Sequence, residues 1–154
     1  MKILRTAAVG FALMAGSAFA DGHATGDAAE GEGVFSKCKA CHGIVSADGD
    51  VIVKGGRTGP NLYGLHTRVA GGDEDFGRKY GDALVEAGEN GLEWNEANFV
   101  SYVADPRAFL REYNDDKRAR SKMSFKLGDE TDAKNVWAYI VSVGPEVEAE
   151  DVTN

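Results

Sequence analysis

Cys38-Lys39-Ala40-Cys41-His42 sets two thiols and an imidazole within five residues, in the pattern C-x-x-C-H. Thiols at that spacing match the separation of the two haem vinyl groups. Each adds to one vinyl as a thioether, and the histidine that follows stands under the iron as a nitrogen ligand. Three other chemistries use cysteine pairs. A disulfide between Cys38 and Cys41 would close a small loop of little structural use. A thioredoxin-like dithiol needs a βαβ setting, which the glycine-rich surroundings do not offer. A zinc site needs a fourth ligand and usually a second cysteine pair, and the chain has only two cysteines. The motif therefore reads first as covalent attachment of one haem c.

Haem attachment of this kind takes place outside the cytoplasm, and the start of the chain agrees. Lys2 and Arg5 precede an uncharged, largely apolar run, Ala7 to Ala15, and Ala18-Phe19-Ala20 presents small residues where signal peptidase reads. The run is too short to span a bilayer. The expectation is a cleaved signal peptide, residues 1–20, and a single domain, residues 21–154, in the periplasm without membrane insertion. The whole chain has 154 residues, 17 basic and 25 acidic, for a net charge of −8. Only Lys2 and Arg5 fall in the leader, so the remainder is more acidic still, which makes nucleic acid a poor partner. Its 43% hydrophobic content is that of a globular protein.

Cleavage also removes Met1 and Met14, leaving Met123 as the one methionine beside three histidines, His23, His42 and His66. A sixth iron ligand would come from methionine, histidine or lysine. Met123 lies in the basic segment Lys117 to Lys126, a poor place for a core side chain, and is the first candidate; His66 is the rival, and His23 falls in a loose N-terminal arm, Asp21 to Asp27. Two axial ligands would leave no position for substrate, which makes an electron carrier rather than an enzyme. With Met123 merely structural, the alternative is a five-coordinate haem sensor or ligand-binding protein.

Outward from the motif, the pattern is mostly helical. Ala28 to Cys38 reads as a short helix with Gly31 and Phe35 on one face. Ser46 to Gly77 holds eight glycines and reads as a long loop with turns at Asp48-Gly49, Gly55-Gly56 and Gly71-Gly72, and no strand pattern stands out. Asn95 is an N-cap for a helix carrying Phe99, Tyr102 and Val103. Asp105-Pro106 ends it and starts another, with Phe109, Leu110 and Tyr113 on one side. A last helix starts near Asp129 or Thr131, carries Ala133, Val136, Trp137, Ile140 and Val141, and stops at Gly144-Pro145. Residues 145–154 have four acids and no base, a frayed tail.

As a set, Gly31, Phe35, Cys38 to His42, Thr58-Gly59-Pro60-Asn61-Leu62-Tyr63-Gly64, Arg68, Trp94, Tyr102, Asp105-Pro106, Lys122-Met123 and the Tyr139 helix resemble a class I cytochrome c. The branch is the mitochondrial-like periplasmic one of purple and denitrifying bacteria, the cytochrome c2 type. The resemblance implies an all-α fold of short helices and long loops wrapped around one covalent haem. It gives Pro60 the role of accepting a hydrogen bond from His42. It places Arg68, Tyr80 and Trp94 at the haem propionate, and Tyr102 against the Met123 sulfur. It names as donor a membrane quinol–cytochrome c oxidoreductase, and as acceptor a terminal oxidase, a reductase or a photosynthetic reaction centre. A diffusing monomer is expected.

The chain departs from the family pattern in places. Sixteen residues separate His42 from Gly59, and the stretch from Val69 to Asn90 is long; both look like surface-loop insertions. Arg78 lengthens the segment between Phe76 and Tyr80, and His66-Thr67 replaces an aromatic and a glycine. Lys37, Lys39, Lys117, Arg118, Arg120, Lys122 and Lys126 cluster in sequence around the haem-binding segments and form the expected docking surface on an otherwise acidic body. Lys122, beside Met123, is either a lysine that could replace the methionine at high pH, as happens in relatives, or an ordinary surface lysine.

Overall fold

Asp27 turns the chain into its first helix: its carboxylate accepts hydrogen bonds from the N–H groups of Ala29 and Glu30, at 2.8 and 3.1 Å. The computed structural model describes residues 24–146. The leader, His23 and the tail beyond residue 146 lie outside the described residues. Within them the order is α1 (Ala28–Phe35), β1 (Ile44–Val45), β2 (Val51–Val53), α2 (Asp82–Glu89), α3 (Glu96–Ala104), α4 (Pro106–Tyr113) and α5 (Glu130–Ser142), with 3-10 turns at Leu65–Thr67 and Gly77–Lys79.

The frame is the crossing of α1 on α5. Gly31 makes it possible: a Cβ there would drive into the Asn135 backbone and the Tyr139 side chain. One turn on, Phe35 is fully buried with its ring centroid 5.5 Å from that of Tyr139. The expected stripe of α5 faces inward at Ala133, Val136, Trp137 and Ile140, and α3 closes the layer through Phe99, whose ring lies 5.3 Å from Trp137. Asn95, Asp105 and Asp129 all cap as expected, each accepting from the N–H three residues on. Pro106 takes the first turn of α4, where its missing N–H costs nothing. On α4, Leu110 is buried, while Tyr113 is largely exposed and stacks on Phe109 at 5.8 Å.

Four expectations need revision. First, α1 stops at Phe35, and residues 36–41 continue as tight turns rather than helix. Secondly, the glycine-rich stretch contains an antiparallel hairpin, Ile44 opposite Val53 and Val45 opposite Val51, turned at Gly49 with φ of 90°. Two- and three-residue strands are too short to show alternation. Thirdly, residues 69–90 are not a plain surface loop. They include α2, whose Ala83 and Ala87 are buried and whose Ala83 carbonyl accepts from Asn114 Nδ2 at 2.8 Å. Finally, the arm is not loose from Ala24 on: Thr25 donates its N–H and its hydroxyl to the Glu96 carboxylate, both at 2.6 Å, and the Asp27 N–H donates to Asn135 Oδ1 at 2.8 Å.

Two outcomes follow. Gly31→Val should cost at least about 1–3 kcal/mol of stability by denaturant unfolding, the usual range for overpacking; an unchanged midpoint would mean that the α1–α5 crossing is not tight there. Asp105 is held below the usual carboxylate range by Lys126 at 2.6 Å and by the Ala108 N–H. A depressed folded pKa contributes stability above the unfolded value of about 3.9 and loses it as pH falls through the lower folded value. Asp105→Ala should therefore flatten the acid limb of the stability–pH curve below about pH 4.

Candidate functional site

The C-x-x-C-H stretch hangs directly from the end of α1. Cys38 N–H donates to the Phe35 carbonyl at 2.8 Å, and the Cys41 and His42 N–H groups both donate to the Cys38 carbonyl, at 3.1 and 3.0 Å. The turn presents Cys38 half-buried and Cys41 exposed. Burial pushes the Cys38 thiol up to about 11, with Lys37 pulling the other way.

The His42 ring is fixed from behind. Its Nδ1 lies 2.8 Å from the Pro60 carbonyl, which can only accept, so Nδ1 carries the proton and Nε2 keeps its lone pair. Burial lowers the pKa below the ordinary histidine value, and the Pro60 bond offsets part of that. Gly59 lets the loop come this close, since a Cβ there would strike the ring. The loop is itself clamped: Asn61 Oδ1 accepts from the Val45 and Tyr63 N–H groups at 3.0 and 3.1 Å, and its Nδ2 donates to the Val45 carbonyl at 2.8 Å.

Met123 reaches the same place from the other side of the molecule, in the irregular segment after α4. That segment is tied down at both ends, by Arg111 Nε to the Ala119 carbonyl at 3.3 Å and by the Leu127 N–H to the Val103 carbonyl at 2.8 Å. Ser121 fixes its centre: its hydroxyl accepts from the Met123 N–H at 3.1 Å and lies 3.4 Å from the Tyr102 hydroxyl. Tyr102 in turn meets Trp94 edge-on at 5.2 Å. Ser121 was missed in the sequence because a lone serine between bases has no distinguishing pattern.

Cys38, Cys41, His42, Pro60, Tyr80, Trp94, Tyr102 and Met123 line one cavity of about 290 Å³. Much of the remaining wall is apolar, including Leu62, Leu65, Leu84, Phe99 and Val103. Two thiols, an imidazole with a free Nε2, a thioether and an apolar wall fit a large flat macrocycle with iron at its centre. Arg68 stands behind this wall, on Asp73 and the Asn61 carbonyl. His66, the rival ligand, turns elsewhere: its Nε2 lies 3.1 Å from the Pro145 carbonyl beyond α5. Among the described residues, no three His, Cys, Asp or Glu side chains gather as a metal cluster.

The chain is 58% identical over 120 residues to cytochrome c-551 of Roseobacter denitrificans, covering 78% of this chain and 83% of that one. It is 49% identical over 144 residues to cytochrome c2 of Rhodobacter capsulatus, covering 93% and 98%. The fold matches the X-ray structure of cytochrome c2 from Rhodobacter sphaeroides with a TM-score of 0.76 at 46% identity, over 79% of this chain and 99% of that one. The chain belongs to the cytochrome c2 family. No family model matches it. As a cytochrome of this family it is an electron carrier with one covalently attached haem c, and Cys38 and Cys41 have the spacing that attachment uses.

In this cytochrome the basic residues are not equivalent. Lys37 pairs with Asp132 at 2.8 Å and Lys126 with Asp105 at 2.6 Å. Lys122 Nζ donates to the carbonyls of Lys79 and Tyr80, at 2.8 and 2.7 Å. Arg118 lies 3.7 Å from Asp116. Lys39, Lys117 and Arg120 are exposed. Exposed pairs are worth little, so Lys37 and Lys126 remain available to a partner, whereas Lys122 also fastens the Met123 segment to residues 79 and 80. Ser121→Ala should cost about 1 kcal/mol in denaturant unfolding through loss of the Met123 bond; an unchanged midpoint would show that Ser121 does not hold the segment.

Proposed function

We propose that this cytochrome is a soluble periplasmic carrier of single electrons, exported by residues 1–20, in which Cys38 and Cys41 would hold the haem and His42 and Met123 would be the two protein ligands of its iron. The observation that carries this is the meeting of His42 and Met123, 81 positions apart in the chain, in the wall of one cavity with both cysteines. Bound haem supplies a one-electron iron couple, and a methionine ligand raises its potential relative to two histidines.

The chain's own residues do the rest. Pro60 holds the His42 ring by Nδ1 and leaves Nε2 free, the support that a metal-bound histidine would generally need. Ser121, Tyr102 and Lys122 hold the Met123 segment in place. Leu62, Leu84, Phe99 and Val103 exclude water. Arg68, Tyr80 and Trp94 are the groups for the propionate end. With His42 and Met123 both bound, no iron position would remain for a substrate, so the reading is a carrier and not a catalyst. A five-coordinate haem protein would leave Met123 without a function in the cavity wall.

Lys37, Lys39, Lys117, Arg118, Arg120, Lys122 and Lys126 form the docking side, with Lys37, Arg120 and Lys122 reaching the cavity rim itself. A basic rim on an acidic monomer orients encounters with acidic faces of partners, giving fast, weak and salt-sensitive association. The donor is a membrane quinol–cytochrome c oxidoreductase; the acceptor is a terminal oxidase, a reductase or a reaction centre.

Carbon monoxide tests the ligand set. The reduced protein should bind it negligibly, and Met123→Ala should bind it rapidly and stoichiometrically; rapid binding by the unaltered protein would contradict six-coordination. For docking, Arg120→Glu should slow reduction by the quinol oxidoreductase at low ionic strength and lose that difference at high salt. Identical salt dependence would remove the docking assignment.

A further inference from the structure

Asp73 belongs to the long stretch after Val69, yet its side chain is only 10% exposed, and its Oδ2 lies 3.1 Å from Arg68 Nη1. Its other oxygen accepts from the Phe76 N–H at 3.2 Å, which pins the carboxylate to its own loop. Arg68 is itself 20% exposed and gives Nη2 to the Asn61 carbonyl at 2.6 Å. Of its five N–H donors, the one on Nε is buried and has no partner. Tyr80, on the cavity wall, completes the cluster. Its phenol is pushed up to about 12, first by burial and then by the Asp73 carboxylate, with Arg68 acting in the opposite sense.

A part-buried guanidinium whose Nε–H is buried without an acceptor is an incomplete arrangement, because an unpaired buried donor carries its full desolvation cost. The fold anchors Arg68 beside the wall by its backbone too: its carbonyl accepts from the Trp94 N–H at 3.1 Å. A carboxylate brought by the haem would have the right charge to complete it.

We infer that Asp73 is a positioning residue for the haem site: it holds one edge of Arg68 so that Nε–H stays free for a haem carboxylate, and its buried negative charge lowers the reduction potential. This rests on the haem reading above. An anion close to the iron in a poorly screened setting favours the ferric state, and removing it favours the ferrous state. Without Asp73, Arg68 also exerts its charge uncompensated, which acts in the same direction.

Equilibrium redox titration of the holoprotein tests the inference. Asp73→Asn should raise the reduction potential while leaving the optical spectrum unchanged, and Asp73→Ser, which keeps an acceptor for the Phe76 N–H, should shift it the same way. Asp73→Glu should restore much of the original value. In an Arg68→Leu background the effect of Asp73→Asn should shrink, because an unpaired buried carboxylate takes up a proton. Unchanged potentials in both neutral variants, or equal shifts with and without Arg68, would overturn the inference while leaving the carrier reading intact. Absence of haem from the unaltered protein would overturn both.

Discussion

A histidine that binds a metal generally needs its second nitrogen held, and one backbone carbonyl holds Nδ1 of His42. The 2.8 Å contact between His42 Nδ1 and Pro60 ties the turn at the end of α1 to the loop that follows the hairpin. Much of the surrounding structure serves this contact. Gly59 removes the side chain that would block it, and Asn61 fastens the loop to β1. The α1–α5 crossing fixes the turn from below, with Gly31 as its point of closest approach. The long irregular stretches are thus held by specific hydrogen bonds rather than by ladders, which is why so much loop coexists with a defined cavity.

The opposite wall follows another logic. Met123 comes from a segment with no regular structure, fixed at Ala119, Ser121, Lys122 and Leu127 by a few hydrogen bonds, two of them from Lys122. Basic side chains crowd this segment on a chain whose overall charge is negative. The same ten residues therefore present the thioether inward and positive charge outward. In the proposed function, that coupling would put the docking surface where the cofactor edge is nearest to a partner, and electron transfer needs that proximity.

The parts legible in the sequence are those that depend on local chemistry. Cys38 to His42 declares itself by spacing, Asn95, Asp105 and Asp129 by capping, and α5 by its apolar period. What was not legible depends on partners far apart in the chain. Thr25 meets Glu96 and Lys37 meets Asp132, contacts that no periodicity reports. Ser121 and Asp73 are single polar residues in loops, and their roles exist only once Tyr102 and Arg68 are beside them. The hairpin strands are too short to alternate, and α2 fully buries only the small side chains Ala83 and Ala87, with Leu84 half-buried on the cavity, too weak a stripe to separate it from loop.

The central claim is that His42 and Met123 hold the same iron, and the absorption spectrum of the ferric protein at neutral pH tests it most directly. The account predicts low-spin c-type bands together with the weak far-red band of an iron–sulfur bond, lost in Met123→Ala. A c-type spectrum in which that band is absent from the unaltered protein would contradict the account.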